Sequence, residues 1–304
     1  MQTALNEILS AFSADECEFF PSYPLARLTT LRIGGPADML AVPRSTDAFC
    51  RLLRLLSETG LPRFIMGNGS NLLAPDEGYR GVVIRTSALR RLTVEGSVLT
   101  AECGVLLPAI SHLANTEGIS GFSQLSGIPA TLGGAIYMNA GAKDECIGDR
   151  VLAVRVVPAS GGEPFELGGG ECCFSYRKSI FCGRGLVILS ATLSGGVEAP
   201  ALLMERTEQA LRKRRETQPL EYPSAGSLFR RPPGDFAGRL IEEAGLKGYR
   251  VGGAEISRKH AGFLINVGGA TAADVRTLTA QVGAVVEECF GVTLEREIEY
   301  LGEV

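Results

Sequence analysis

From Gly118 to Ala142 the chain runs for 25 residues, GISGFSQLSGIPATLGGAIYMNAGA, without one charged side chain. A stretch of that length is long enough to cross a bilayer as a helix. It also holds six glycines, a proline and an asparagine, and that composition argues against a spanning helix. An uncharged, glycine-rich segment that is not a spanning helix has to be a loop system covered by protein or by a ligand. The rest of the chain must be arranged around it.

The remainder has an ordinary globular composition. With 304 residues, 45% hydrophobic and 21% charged, the chain is long enough for about two domains and a sizeable core. A net charge of -4 gives no global attraction to nucleic acid or anionic lipid, so the expected partner is a small molecule. There are eight cysteines, at 17, 50, 103, 146, 172, 173, 182 and 289, but no C-x-x-C pair. The opening MQTALNEILSAFSADE has neither a basic n-region nor an apolar h-region. Reduced thiols in a cytoplasmic protein are expected, with no metal site and no membrane insertion.

Periodicity divides the chain into three α+β units. MLAVP, the helical TDAFCRLLRLLSETG, FIMGN and VVIRT read as strand, helix, strand, strand, giving a first unit over residues 1–91. Two hairpins follow, LTVEGSVLTAEC turning at Glu95 and Gly96, and VLAVRVVPASGGEPFEL turning at Ser160 to Gly162. With a helix over 106–117 and the strand GLVILSATL they make a second unit, 92–197. SGGVEAP reads as a linker. The third unit, 198–304, begins with the helix ALLMERTEQALRKRRE and continues with FAGRLIEEAG, the strand GFLINVG, a helix carrying Val275, Leu278, Val282, Val285 and Val286 on one face, and a last strand TLEREIEYLG.

Two loops have the composition of an anion cradle. IMGNGSNLL leaves an apolar strand and turns through Gly67, Asn68, Gly69, Ser70 and Asn71 into Leu72, residues that tolerate positive φ and can aim successive N–H groups at one oxygen anion. SGIPATLGGAIYMNAGA places Gly133 and Gly134 where backbone must pass close to something, then turns at Asn139, Ala140 and Gly141. Two such loops suit a long ligand with a diphosphate at its middle. Neither G-x-G-x-x-G nor G-x-x-x-x-G-K-[ST] occurs, so the residues alone point to a dinucleotide or large nucleotide held in a non-Rossmann way.

The ordered set TLRIGGPAD, GNGSNLL, GIPATLGGAIYMNAGA, FSYRKSIF, YPSAGSLFRRP, GLKGYRVGGAEIS followed by KHAGFLIN, and LEREIEYLG resembles the UDP-N-acetylenolpyruvoylglucosamine reductase family of bacterial peptidoglycan precursor synthesis. The likeness runs from about Leu28 to Gly302. It implies an FAD-binding fold of the vanillyl-alcohol-oxidase type in two subdomains, with a C-terminal α+β substrate-binding domain. It also implies FAD as cofactor, contacted by Gly67 to Leu72 and by Gly127, Ile128, Pro129, Thr131, Gly133, Gly134, Asn139, Ala140 and Gly141. NADPH is the implied co-substrate. The implied reaction reduces the enolpyruvyl ether of UDP-N-acetylglucosamine to the lactyl ether of UDP-N-acetylmuramate. UDP-sugar and NADPH are then the partners, with no obligatory protein partner.

Three residues would carry the chemistry. Ser227, in YPSAGSLFRRP, matches the family serine that gives a proton to the substrate carbanion. Arg177, in FSYRKSIF, matches the arginine holding the substrate carboxylate, a task for a planar fork of donors. Glu297 matches the glutamate of the last strand, where it alternates with Glu295 and Glu299; it would polarise the enolpyruvyl group if protonated, or orient Arg177. Tyr176 and Arg231 are assigned to the substrate. Read without the family, the same residues are a turn hydroxyl, a surface arginine beside a tyrosine and a solvated strand edge. The two histidines, His112 on a helix pattern and His260 before an apolar run, stand in no G-x-S-x-G or H-E-x-x-H context, so hydrolase and zinc-protease readings lose their usual support.

SIFCGRGLVILS passes straight into a strand, which places the chain with the family branch lacking an extra tyrosine loop. Ala130 and Lys143 stand where the family commonly has glycine and an aromatic. The competing readings are another FAD-dependent oxidoreductase of the same fold and a non-catalytic nucleotide-binding regulator.

Overall fold

The computed structural model describes residues 2–303. They form two units. The first takes the chain through Pro21, Met39–Asn68 and Gly81–Lys213; the second takes Ser22–Asp38, Gly69–Arg80 and everything from Arg214. Each has its own core.

In the first unit, the helix Thr46–Glu58 starts where expected because Ser45 Oγ accepts from the Ala48 amide at 3.1 Å and Asp47 sits in the first turn. Its apolar positions Phe49, Leu52, Leu53 and Leu56 are fully buried. Gly60, at φ +66°, ends it. The strand that follows, Arg63–Met66, runs parallel to Tyr79–Arg85 at the edge of a sheet ordered Cys17–Pro24, Pro36–Pro43, Tyr79–Arg85, Arg63–Met66. The two expected hairpins are both present. They build an antiparallel sheet ordered Phe165–Gly168, Val151–Pro158, Leu186–Ser194, Val98–Glu102, Leu92–Glu95. The helix Leu107–Thr116 buries Leu107, Ile110 and Ala114 and leaves His112 exposed.

The uncharged segment folds as a 3-10 turn, Ser123–Gly127, a short helix, Leu132–Tyr137, and a two-residue strand, Gly141–Ala142. Ile119, Phe122, Leu125, Leu132, Ala135 and Ile136 are all buried in the first core. Its lack of charge therefore has a packing reason over much of its length. SGGVEAP is not a free tether: Ser120 N donates to Gly196 O at 2.8 Å and Glu198 N to Gly118 O at 2.9 Å. Among the described residues no helix is long and apolar enough to cross a membrane.

In the second unit, a sheet ordered Ser224–Ser227, Phe263–Asn266, Ala254–Ile256, Arg250–Val251 accompanies the helices Ala237–Glu243 and Ala272–Phe290. The long helix begins at a capping box, Thr271 with Asp274, and ends at Gly291 in the left-handed conformation, φ +65°. Four of its five expected stripe residues, Val275, Leu278, Val282 and Val286, are fully buried, with Val285 partly so. The last strand differs from expectation: only Glu299–Tyr300 is strand, parallel to Leu72–Leu73. The segment changes partner part-way. Arg296 bridges Phe229 and Glu297 N donates to Leu228 O at 2.9 Å, and then Glu299 N turns to Asn71 O at 3.0 Å. A ten-residue strand with one neighbour cannot persist across that exchange.

Candidate active site

Within the first unit, the glycine loops are locked to one another. A Cβ on Gly67 would lie 2.0 Å from Thr131 Oγ1, so only glycine fits there. Asn68 Nδ2 donates to Pro129 O at 2.8 Å. The Gly127–Gly134 stretch is pinned from beneath: Leu107 N donates to Ala130 O, Leu132 N to Val105 O and Gly133 N to Cys103 O, all within 2.9 Å. Thr131 caps the short helix by accepting from Gly134 N. Pro129 and Gly134 are exposed, while Gly67, Asn68, Gly127 and Ile128 are half-buried.

The second loop also positions the arginine. Asn139 adopts φ 45°, accepts from Gly148 N at 3.0 Å through Oδ1 and donates to Ser175 O at 2.9 Å through Nδ2. Both ends of its amide are thus spent on backbone, one of them on the FSYRKSIF turn. That turn is closed by Ser175 and Lys178, each donating its amide to the other's carbonyl. Arg177 occupies it with φ 54°, a conformation unusual outside glycine and asparagine. Its Nη2 donates to Gly141 O at 3.2 Å, and its guanidinium lies 5.1 Å from the ring centre of exposed Tyr176. Gly141, Asn139 and Arg177 are therefore brought together.

Within the second unit, Ser227 and Glu297 are brought to adjoining backbone. Ser227 ends a strand registered on Phe263, with a bulge between Ser224 and Ser227 at Gly226, φ +84°. Leu228 N then donates to Gly262 O at 2.8 Å while Leu228 O accepts from Glu297 N, so one residue joins the serine to both neighbours. Asn71, which the second unit takes from its own segment Gly69–Arg80, donates through Nδ2 to Glu297 O at 3.0 Å. Both Ser227 and Glu297 are half-buried. Glu295, by contrast, is exposed and paired with Arg230 at 2.5 Å. Arg231 is exposed, its guanidinium 4.5 Å from the ring centre of Phe236.

Sequence reasoning missed the residues that hold this arrangement. Thr30 Oγ1 donates to Ser224 O at 2.7 Å and Thr30 N to Gly69 O at 3.2 Å. Ser224 Oγ accepts from Gly226 N and donates to Leu264 O at 2.7 Å. The Ser224–Gly226 pair is a hydroxyl turn readable from its spacing; Thr30 carries no such local signal.

The donor set fits a flavin dinucleotide. Neither Gly67–Leu72 nor Ser126–Ala142 contains a carboxylate that would repel a diphosphate; Gly67, Gly69, Gly127, Gly133, Gly134 and Gly141 are at least partly exposed, whereas Leu72, Thr131, Asn139 and Ala140 are buried. All eight cysteines are free. Burial pushes the thiols of Cys17 and Cys103 up to about 12 and that of Cys172 up to about 11, which keeps them protonated.

Residues 37–167 match an FAD-binding domain family, and residues 218–301 match the C-terminal domain of UDP-N-acetylenolpyruvoylglucosamine reductase. Over 302 residues the chain is 46% identical to the UDP-N-acetylenolpyruvoylglucosamine reductase of Caldanaerobacter subterraneus subsp. tengcongensis, across 98% of this chain and 97% of that protein. The chain belongs to the UDP-N-acetylenolpyruvoylglucosamine reductase family. The Moorella thermoacetica reductase of that name is 47% identical over 280 residues, 92% of each chain. The crystal structure of the Thermus caldophilus UDP-N-acetylenolpyruvylglucosamine reductase superposes with a TM-score of 0.78 at 35% identity, over 93% of this chain and 98% of that one. An alkyldihydroxyacetonephosphate synthase shares the fold alone, with a TM-score of 0.50 at 18% identity over 65% of this chain and 40% of that one. As a member of the reductase family the chain is an FAD-containing oxidoreductase. Its fold is the α+β, vanillyl-alcohol-oxidase-type flavin fold followed by the family's C-terminal domain.

Proposed function

We infer that the chain catalyses the FAD-dependent reduction of UDP-N-acetylenolpyruvoylglucosamine to UDP-N-acetylmuramate in peptidoglycan precursor synthesis, with NADPH as the electron source. The observation that carries this is identity of 46% sustained over 98% of the chain with a reductase of that name. Residues 1–91 and 92–197 supply the flavin subdomains and 198–304 the substrate-binding domain. Free, protonated thiols suit a reducing compartment, and the cytoplasm is the location we assign.

Gly67–Leu72 and Gly127–Gly141 hold FAD largely through main chain, and the locking of Gly67 on Thr131 supports this by pre-forming the cradle. When bound, FAD would supply the hydride-transfer chemistry that links NADPH oxidation to reduction of the enolpyruvyl double bond. Negative charge then accumulates on the substrate carbon that bears the carboxylate and on the carboxylate itself. Arg177 stabilises that charge with its fixed fork, and its left-handed backbone supports a positioned role, since strain of this kind gathers at functional sites. Ser227 gives its hydroxyl proton to the carbanionic carbon, completing the lactyl ether. Glu297 is the second group acting on the enolpyruvyl unit, with Tyr176 and Arg231 on the remainder of the substrate.

The test is the visible spectrum of the purified protein without oxygen, before and after NADPH and again after the UDP-enolpyruvyl sugar. Bleaching by NADPH followed by recolouring with the sugar is expected. A protein that binds no FAD, or one that bleaches and is not reoxidised by the sugar, overturns the assignment.

A further inference from the structure

One face of the helix Ala272–Phe290 lines a groove in the second unit that none of the roles above uses. Its cavity volume is about 480 Å³, in the range of small-ligand clefts. Ala280, Gly283 and Ala284 line it together with Phe229 and Leu294, and Glu287 adds a carboxylate about three turns along the helix from Arg276. This face flanks the stripe of buried Val275, Leu278, Val282 and Val286.

Gly283 is the informative residue. Glycine in a helix interior is less stable than alanine by roughly 1 kcal/mol and is kept when packing demands it. Here a Cβ would meet only the Phe229 ring, at 3.9 Å, an ordinary contact. Packing does not require the glycine; its effect is to leave the groove open.

One end of the groove is cationic. The guanidiniums of Arg276 and Arg296 lie over the Tyr300 ring, 4.5 and 3.5 Å from its centre. Both bind the single carboxylate of Glu303, Arg276 through Oε1 and Arg296 through Oε2 at 3.1 Å, and this pairing holds the Glu303 carboxyl below its usual value. A solvent-exposed carboxylate from outside the groove lining thus occupies both of the arginines that line it. Arg296 is held there by an isolated antiparallel bridge to Phe229. Neighbours in an extended segment point to opposite faces, so Arg296 in the groove turns Glu297 away from it.

We propose that this groove binds a small organic anion, with its phosphate or carboxylate head on Arg276 and Arg296 in place of Glu303 and a flat apolar body over Ala280, Gly283 and Ala284. Charge complementarity selects the head, and the small-residue lining and Phe229 select the body.

The test is titration of the FAD-loaded full-length protein with phenyl phosphate, by calorimetry and by backbone amide shifts at Ala280, Gly283 and Ala284, with inorganic phosphate and phenol as controls. Phenyl phosphate is expected to bind more tightly than either control. Glu303→Gln, which removes the competing carboxylate, should tighten binding about tenfold, and Arg276→Gln should weaken it by a similar factor. Gly283→Leu should abolish it, with flavin content and Tm confirming that the variant folds. Absence of saturable binding by both wild type and Glu303→Gln, or unchanged binding by Gly283→Leu and Arg276→Gln, overturns the proposal.

Discussion

Arg177 sits at the corner of a four-residue turn, held by a left-handed φ of 54° and by hydrogen bonds to the Gly141 and Asn139 loop, whereas Ser227 ends a strand paired with Phe263 and passes directly into a second pairing with Glu297. The first device is local, so one residue can alter it. The second depends on segments far apart in the chain, so the serine hydroxyl can be removed without disturbing its frame, while the frame itself is altered only from a distance.

The sharpest use of that difference is Ser227→Ala. Reduction of FAD by NADPH should be unchanged and Tm should stay within a degree or two, while product formation falls by roughly 10² to 10⁴-fold, the range for a lost proton donor. Stopped-flow measurement of the two half-reactions checks this, and retained turnover removes Ser227 from the mechanism. Arg177→Gly should separate stability from activity in the turn. It deletes the guanidinium, lowering turnover about 100-fold, but relieves roughly 1 kcal/mol of left-handed strain, so Tm should hold or rise. A fall of many degrees would mean the turn is not strained and the contrast fails.

Gly67→Ala drives a Cβ into Thr131 Oγ1 and should cost about 1–3 kcal/mol, with loss of bound FAD on gel filtration. Thr131→Ala in the same chain should recover most of that loss, which a double-mutant cycle measures. Asn71→Ala acts on the Ser227 frame from a distance: losing its bond to Glu297 O should remove about 1 kcal/mol and lower kcat severalfold, with NADPH bleaching intact.

The smallest effect concerns pH. Gly262 N donates to His260 Nδ1 at 3.1 Å, and Gly262 O receives Leu228 N beside Ser227. Burial holds the His260 imidazole below its usual pKa of about 6.5, so the unfolded chain takes up the proton first as pH falls. Its contribution is complete above about pH 6.5 and is lost as the pH drops beneath it. Denaturant titrations between pH 7.5 and about 5 should show that loss in the wild type and less of it in His260→Gln.

The same contrast explains what was legible in the sequence. The helices Thr46–Glu58 and Ala272–Phe290 announce themselves by caps and apolar stripes, and the two hairpins by their turn residues. These are short-range signals. Glu295, Glu297 and Glu299 looked alike because their alternation is local, yet Glu295 reaches out to Arg230 while the Glu297 carbonyl is claimed by Asn71, 226 positions away. Thr30 reaches Ser224 across 194 positions, and the motif around it gave no sign of that. The left-handed Arg177 was equally silent, since no turn residue marks it. Serine and arginine at 227 and 177 were found through motif order; their positioning was not.

The second unit draws on Ser22–Asp38 and Gly69–Arg80 as well as on the chain from Arg214. On a ribosome adding 5–20 residues each second, those early segments emerge roughly 10–40 s before their partners. Leu31, Ile33 and Leu73, fully buried in the finished core, spend that interval uncovered. A transcript cut short anywhere before Arg214 leaves them so permanently, and its product is marked for chaperone capture and proteolysis even if the first unit has folded around its own core.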